Sequence, residues 1–246
     1  MTISKAVQRV FRACGLNLTR LPGNRFDVMH DVLARLLREG FEPTMIVDIG
    51  ANRGQWAGTA SRVFPRVPLH MIEPQAVCRP SLEAFAAARG HARIHQALVT
   101  SADVDRVRVV DMGGGSTGAH VVLDPARSDG AMIPATTIDA LLAADLHAGD
   151  RVLLKLDVEG HELHVLDGAR AVLGHVEVIA SEVTFFEVEH AGNPAFLAYA
   201  IALAALGFVL YDFAALGSRR RDGRLRTGDA IFVRRGTPLM ADDSWA

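Results

Sequence analysis

Cysteine is nearly absent from this sequence, which has only Cys14 and Cys78 among its 246 residues. The two lie far apart, and neither belongs to a CxxC pair or to a Cys/His zinc spacing. Disulfide scaffolds and cysteine-based zinc sites are therefore excluded as the basis of the fold. Few cysteines in a chain long enough to bury a core are typical of the reducing cytoplasm, where we expect this protein.

A large excess of one charge is also lacking, because 26 basic and 28 acidic residues give a formal net charge of −2. No broad basic surface is indicated, so we expect no nucleic acid among the partners. Lysine is rare, and Lys5 and Lys155 are the only two. One basic run does occur, at Arg219–Arg221, Arg224 and Arg226. It is compatible with a solvated loop or with contact to an anionic or glycosidic substrate.

Apolar runs long enough to span a membrane are missing. Residues 193–211 carry no charge, but the run is rich in alanine and is interrupted by Gly207. A spanning helix needs about 20 predominantly apolar residues. The run instead predicts a helix, Pro194–Leu206, that ends at Gly207 and is followed by a strand. We expect no transmembrane segment, and residues 1–12 lack the continuous apolar core of a signal peptide.

Short apolar runs alternate with helical segments along the chain. The predicted strands are Met45–Ile49, Leu69–Ile72, Arg93–Val99, Arg106–Asp111, Val152–Leu156, Val176–Ser181, Phe208–Tyr211 and Ala230–Arg234. The predicted helices are Asp31–Glu39, Gln55–Phe64, Ser81–Arg89, Thr137–Ala144, Glu162–Leu173 and Pro194–Leu206, with a loop at Gly113–Gly118. This alternation implies a parallel sheet covered on both faces, which is a doubly wound α/β fold. We assign residues 1–40 to an N-terminal helical segment and residues 41–246 to the main domain.

Acidic residues stand where the first two predicted strands end, and in such sheets ligands bind beyond these ends. Asp48 precedes a glycine turn, Gly50–Gly54, which is neither GxGxxG nor a phosphate-binding loop ending in GK[ST]. Glu73 lies 25 residues further on, where an acid can accept hydrogen bonds from both ribose hydroxyls. An acid beside the turn suits a cationic group, so the pattern favours S-adenosylmethionine over NAD. An ordinary strand–helix turn is the structural alternative.

Three more carboxylates follow two strands later in the chain. Asp157 and Glu159 come directly after the strand Val152–Leu156, and Glu182 follows Val176–Ser181. Carboxylates from adjacent strand ends can hold a hard divalent cation or take a proton from a hydroxyl. Capping of the following helix is the structural alternative for Asp157 and Glu159.

These segments together resemble the FkbM family of S-adenosylmethionine-dependent methyltransferases. The resemblance is carried by VDIGANRG at Val47–Gly54, by Glu73-Pro74, by KLDVEGHE at Lys155–Glu162 and by the strand that ends at Glu182. Thr136–Asp139 and the closing GDAIFV at Gly228–Val233 also fit. It implies a Rossmann-like sheet of seven strands, the last one antiparallel, in a class I methyltransferase domain. It also implies O-methylation of a hydroxyl on a sugar, a glycolipid precursor or a natural product.

The resemblance assigns cofactor binding to Asp48, Gly50, Asn52, Gly54, Glu73 and Asp157. Asp48, Gly50 and Asn52 would line the methionine end, and Glu73 would hold the ribose. The helix after Glu73 lacks the asparagines often found there, so the adenine contacts stay unassigned.

Glu159 and His161 are the candidate catalytic bases, because an alcohol needs help to lose its proton. We favour His161, which at a helix N-terminus should be neutral and able to accept a proton. Asp157 and Glu182 are the candidate Mg²⁺ ligands, by analogy with other sugar O-methyltransferases. His120 follows the Gly113–Gly118 loop and is the next candidate base.

Two other functions share parts of this pattern. An NAD-dependent oxidoreductase has the same alternating sheet and the acid after the second strand, but it requires GxGxxG after the first. A non-catalytic partner subunit with a methyltransferase fold is the second alternative, and the acids at every strand end disfavour it. The expected acceptor is a small molecule or an oligosaccharide, and the requirement for Mg²⁺ and a homodimeric assembly stay open.

Overall fold

The computed structural model describes residues 5–14, 24–101, 104–110, 120–122, 129–186 and 194–241. These residues form twelve strands and eight α-helices. The strands are β1 (Asn24–Asp27), β2 (Met45–Ile49), β3 (Leu69–Ile72), β4 (Ala92–His95), β5 (Leu98–Val99), β6 (Arg106–Val110), β7 (His120–Val122), β8 (Ala131–Thr136), β9 (Val152–Leu156), β10 (Val176–Thr184), β11 (Phe208–Ser218) and β12 (Leu225–Arg234). The helices are α1 (Lys5–Ala13), α2 (Met29–Arg38), α3 (Gln55–Val63), α4 (Arg79–Arg89), α5 (Ile138–Leu142), α6 (Glu162–Asp167), α7 (Arg170–Leu173) and α8 (Phe196–Ala205).

The main sheet has eight strands in the order β1-β11-β12-β10-β9-β2-β3-β4. Strands β10, β9, β2, β3 and β4 are parallel to one another, whereas β12 is antiparallel to both β10 and β11. The doubly wound α/β class and the antiparallel last strand are therefore confirmed.

The order of the strands reverses between β2 and β9. The chain runs outward from β2 through β3 to β4, and then returns to add β9 and β10 on the other side. Ligands of doubly wound sheets bind at this switch point, beyond the carboxyl ends of the strands. Asp48 and Lys155 are register partners at the junction, followed by Ile49 and Leu156.

Alternating side chains of the central strands fill two hydrophobic cores, one on each face of the sheet. Val47 and Leu154 belong to the core that is covered by α5 to α8. Ile46 and Leu153 belong to the core that is covered by α2, α3 and α4. Asp48 and Lys155, which follow by the same alternation, point toward the α3 side of the sheet.

A second sheet of four strands, in the order β5-β8-β6-β7, lies beside the main one. It has a small apolar core around Leu98, Val107 and Val109. The predicted strand Arg93–Val99 is divided between the two sheets, because β4 pairs with β3 and β5 pairs with β8. The predicted loop Gly113–Gly118 lies outside the described residues.

The main sheet has one strand more than the predicted seven, since β1 pairs with β11 at the edge. Its sequence, NRFD, has no apolar alternation and gave no signal. The helix α2 packs its buried face into the same core as β2. The boundary placed at residue 40 thus falls inside one packed unit, of which residues 24–38 are part.

The predicted helix Glu162–Leu173 is divided into α6 and α7 at Gly168. A Cβ at Gly168 would lie 2.1 Å from the carbonyl oxygen of Thr100, so the chain passes too close there for any other residue. None of the described helices is long and apolar enough to cross a membrane.

Candidate active site

A cavity of about 290 Å³ opens at the carboxyl ends of β2, β9 and β10. Among the predicted site residues, its lining includes Gly50, Asn52, Glu73, Asp157, Glu159, His161 and Glu182. The small sheet closes another side through Val109, His120 and Val121. Acids carried by β10 and by the turns after β3 and β9 thus converge at the switch point, and the opposite wall is largely apolar.

Gly50 allows the turn after β2 to touch the turn after β9. Its φ is +77°, and a Cβ would lie 1.9 Å from the carbonyl oxygen of Asp157. The backbone N–H of Asp157 donates to the carbonyl of Ile49 at 3.1 Å. Only glycine fits this contact, which fixes Asp157 beside the turn Gly50–Gly54.

Glu73 is held at the cavity wall by backbone groups from two sides. The N–H of Asn52 donates to its Oε2 at 2.8 Å, and the N–H of Gln75 donates to its Oε1 at 2.9 Å. Burial raises the pKa of Glu73, and the two hydrogen bonds oppose this rise. Backbone groups on both sides therefore fix the orientation of the Glu73 carboxylate at the cavity.

Asp48 and Gly54 are absent from the cavity lining formed by the described residues. Asp48 is only 1% exposed and accepts a hydrogen bond from the backbone N–H of Ala57 at the start of α3. Burial raises its pKa to about 7. Gly54 has a φ of +83° and packs near Leu82 of α4. Both residues shape the turn from behind, and only Gly50 and Asn52 of the turn reach the cavity.

Asp157, Glu159 and Glu182 form a compact acidic cluster, in which one oxygen from each lies within 4.8 Å of the others. Burial, reinforced by the charges of Asp157 and Glu162, raises the pKa of Glu159 to about 7. Burial and the charges of Asp157 and Glu159 raise the pKa of Glu182 well above its ordinary value. The raised pKa values mean that both glutamates gain or lose a proton near neutral pH.

Lys155 lies behind this cluster and balances part of its charge. Its Nζ is 3.0 Å from Oδ2 of Asp157 and donates to the carbonyl of Leu156 at 3.2 Å. Burial of the ammonium opposes its charge, but Asp157, Asp229 and Asp48 outweigh this effect and raise the pKa of Lys155. Lys155 is thus a buried cation among carboxylates.

The turn that carries Glu159 is itself braced. Glu159 has a φ of +51°, an uncommon conformation for a residue with a side chain. Oε1 of Glu162 accepts hydrogen bonds from the N–H groups of Val158 and Gly160, both at 3.2 Å. The strained turn therefore aims Glu159 into the cavity, and Glu162 holds it there.

His161 lines the cavity but is engaged by its neighbours. Its side chain is 3% exposed, its Nε2 lies 2.7 Å from Oγ1 of Thr100, and its ring stacks on that of His164. Burial, with a smaller effect of His164, lowers the pKa of His161 to about 4. The imidazole is therefore neutral near pH 7, as expected, but it is a much weaker base than Glu159. Of the two candidate bases, Glu159 therefore has the higher pKa.

Residues 48–210 match the family model of the methyltransferase FkbM domain. This chain belongs to the FkbM methyltransferase family. It is an S-adenosylmethionine-dependent methyltransferase, and the resemblance seen in the sequence is confirmed. No curated protein matches the chain.

Solved structures similar to this FkbM protein come from several methyltransferases at low sequence identity. Magnesium protoporphyrin IX methyltransferase from Synechocystis PCC 6803 is 11% identical with a TM-score of 0.46, and the alignment covers 84% of this chain and 77% of that one. Precorrin-6y C5,15-methyltransferase from Geobacter metallireducens GS-15 is 13% identical with a TM-score of 0.42, over 83% and 88%. Burkholderia thailandensis 1,6-didemethyltoxoflavin-N1-methyltransferase is 12% identical with a TM-score of 0.46, over 84% and 76%.

The residues of this FkbM site suit the cofactor. The cavity presents carboxylates, Glu73 among them, to a molecule that carries a sulfonium and an ammonium. Oδ2 of Asp48 is buried and has no hydrogen-bond partner among the residues that the structure describes. A carboxylate oxygen of Asp48 that has no partner among these residues therefore lies behind the part of the cavity that Gly50 and Asn52 line.

Lys155 and Gln75 are site residues of this FkbM protein that were not predicted. Lys155 had a sequence signal, because a single lysine within the apolar run VLLKL must be paired when buried. Gln75 lines the cavity next to Glu73, and nothing in its local sequence marks it. His120 was named as a further candidate, and it does line the cavity, on the small sheet.

Proposed function

We propose that this protein transfers a methyl group from S-adenosylmethionine to a hydroxyl of a sugar, a glycolipid precursor or a natural product. The observation that carries the proposal is the acidic cluster of Asp157, Glu159 and Glu182 at the cavity. A hydroxyl must lose a proton as its oxygen takes the methyl group, and a base with a pKa near the working pH is best suited to accept it.

The chain's residues have distinct roles toward the cofactor in this proposal. Glu73 holds the ribose, while Gly50 and Asn52 let the backbone approach the methionine end. S-adenosylmethionine, when bound, supplies a methyl group that is already activated on sulfur. The protein therefore has to align the acceptor oxygen, exclude water and hold the departing proton.

Glu159 is the preferred base. Its pKa of about 7 leaves a large fraction deprotonated at neutral pH, and its turn aims it into the cavity. Glu182 is the neighbouring proton acceptor, and burial together with repulsion from Asp157 raises the pKa of both glutamates. His161, whose Nε2 is engaged by Thr100, orients this side of the site instead.

The alternative role of the same cluster is to bind a divalent cation, with Asp157 and Glu182 as ligands. A bound Mg²⁺ would lower the pKa of the acceptor hydroxyl directly. Exhaustive treatment with EDTA separates the two roles. Full turnover after chelation supports the base, whereas loss of turnover that Mg²⁺ restores supports the metal.

The proposal is tested by incubating the enzyme and S-adenosylmethionine with mono- and oligosaccharides, glycolipid precursors and hydroxylated natural products. The expected product is an acceptor heavier by one methyl group, and fragmentation locates that group on oxygen. Glu159→Gln serves as the low-activity comparison, and its affinity for S-adenosylhomocysteine is measured to show that the site is intact. Methylation confined to nitrogen or carbon acceptors would overturn the proposal.

A further inference from the structure

The hairpin between β11 and β12 carries an unusual concentration of positive charge. Residues 219–226 contain five arginines and one acid, Asp222, in a chain whose net charge is −2. Four of these arginines, Arg220, Arg221, Arg224 and Arg226, are exposed. The methyl-transfer step assigned above uses none of them.

The hairpin is braced internally. The guanidinium of Arg219 donates to Asp222, with Nε at 3.0 Å from Oδ1, and the N–H of Arg224 donates to the same oxygen at 3.1 Å. The guanidinium groups of Arg224 and Arg219 lie 4.7 and 5.6 Å from the ring centre of Phe186. Two arginines therefore hold the hairpin in place, and Arg220, Arg221 and Arg226 project their charge outward.

The hairpin lies at the cavity end of the sheet. Glu182 of the acidic cluster pairs in register with Asp229, and Thr184 pairs with Thr227. Directly beyond them the N–H of Phe185 donates to the carbonyl of Arg226 at 2.9 Å. At about 3.3 Å per residue, the start of the hairpin is on the order of 10–13 Å from Glu182.

The site therefore combines an acidic cavity wall, called the floor below, with the basic hairpin of residues 219–226 at its edge, called the rim. Glu73, Asp157, Glu159 and Glu182 line the cavity. The positive charge of Arg226 acts on Glu159 and opposes the rise of its pKa. A substrate with an anion at one end would be repelled by the floor and attracted by the rim, so it would enter with its neutral hydroxyl first.

We propose that the hairpin of residues 219–226 binds an anionic group, a phosphate or a carboxylate, carried by the acceptor about one sugar unit from the hydroxyl that is methylated. Guanidinium groups match both anions with paired hydrogen bonds. The inference rests on the proposed function, and it narrows the acceptors to sugar phosphates, phosphate-linked glycolipid precursors and uronic acids.

Binding is measured first, without turnover, by calorimetry in the presence of saturating S-adenosylhomocysteine. The probes are matched pairs: mannose 1-phosphate with mannose, glucose 1-phosphate with glucose, and glucuronic acid with glucose. We expect at least one anionic member to bind about tenfold or more tightly than its neutral partner, as one charge-assisted hydrogen bond predicts. The preference should weaken as the salt concentration rises.

The double variant R220E/R221E tests the hairpin itself. Both side chains are exposed, and the structure assigns the bracing contacts to Arg219 and Arg224. The control R66E/R235E makes the same change of net charge at exposed positions next to the opposite ends of β3 and β12. R220E/R221E should lose the preference for the anionic probe, and R66E/R235E should keep it.

The inference is overturned if no anionic probe binds more tightly than its neutral partner, if both double variants lose the preference equally, or if the anion displaces S-adenosylhomocysteine. Binding to phosphatidylglycerol vesicles tests whether the phosphate that the hairpin contacts belongs to a membrane lipid. If R220E/R221E releases the protein from vesicles but leaves sugar phosphate binding unchanged, the hairpin contacts a membrane instead and the inference fails. If the anionic probe binds at the hairpin but the product is methylated on nitrogen, the proposed function fails, and what stands is the anion site at residues 219–226.

Discussion

Nζ of Lys155 lies 3.0 Å from Oδ2 of Asp157, and the two partners differ sharply in exposure, at 2% and 41% of their side chains. The pair joins the buried side of the sheet to the cavity. Burial, with the charge of Asp157 as a further cause, raises the pKa of both Glu159 and Glu182. The proposed base Glu159 thus stands beside an ion pair whose cation, Lys155, does not line the cavity.

Replacement of Lys155 by methionine should destabilise the protein by about 3–5 kcal/mol, because it leaves buried carboxylates without their partner. The free energy of unfolding in urea measures this loss. Arg170→Met, which removes an exposed ion pair with Asp167, is the matched control and should cost less than about 1 kcal/mol. Equal losses for the two variants would show that Lys155 is not the counter-charge of the cluster.

Gly50→Ala should abolish cofactor binding or folding, since its Cβ would lie 1.9 Å from the carbonyl of Asp157. Gly40 offers a control with a similar backbone, because its φ is +89° and a Cβ there would have no neighbouring atom within 4 Å. Gly40→Ala should cost only the backbone strain, about 1–2 kcal/mol. Calorimetry with S-adenosylhomocysteine and a denaturation curve separate the two effects. Similar behaviour of both variants would contradict the close approach at Gly50.

The stability of the protein should fall between about pH 4.5 and pH 7 through Glu159. Burial raises the pKa of Glu159 from 4.5 to about 7. Below pH 4.5 the folded and unfolded states are both protonated, and its contribution is fully present. As the pH rises, the unfolded chain ionises first and is favoured, so the contribution is lost by the folded-state pKa.

Urea midpoints at pH 5 and pH 8 test this dependence. Glu159→Gln should lose less stability than the wild type between the two pH values. Glu39→Gln, at an exposed glutamate, should behave as the wild type does. A wild-type curve whose slope is unchanged by Glu159→Gln would mean that Glu159 is not held protonated by the fold.

Much of this site follows from the sequence for a simple reason. Strands of Val, Ile and Leu are predictable from composition, and parallel strands place their carboxyl ends at one edge. Glu73, Asp157, Glu159 and Glu182 therefore meet at the cavity as expected. Asp48 is buried under α3 and does not line the cavity. The sequence of the turn does not show which face of the sheet α3 covers, so this burial could not be predicted.

The missed elements depend on long-range contacts. Strand β1 is polar and exists because β11 has a free edge to pair with. Gly168, where the predicted helix is divided, lies against the carbonyl of Thr100, which stands far earlier in the chain. The contact of His161 with Thr100 also joins residues far apart in sequence, and the burial that lowers the pKa of His161 comes from tertiary packing.

Glu159→Gln should reduce the rate of methyl transfer by about 10²–10⁴-fold, the usual contribution of a general base. His161→Ala should reduce it by less than about tenfold, because its pKa is lowered to about 4. Rates are measured at saturating S-adenosylmethionine, with the affinity for S-adenosylhomocysteine as the control for an intact site. The reverse order of the two effects would return the role of base to His161.

The most direct test of the proposed chemistry is the position of the transferred methyl group. S-adenosylmethionine with an isotopically labelled methyl group is incubated with the wild type and with Glu159→Gln, and the product is analysed by mass spectrometry and NMR. We expect one labelled methyl on a hydroxyl oxygen with the wild type, and a product yield at least about 100-fold lower with a variant that still binds the cofactor. A label found on nitrogen or carbon, or an unchanged yield from Glu159→Gln, would contradict the proposal.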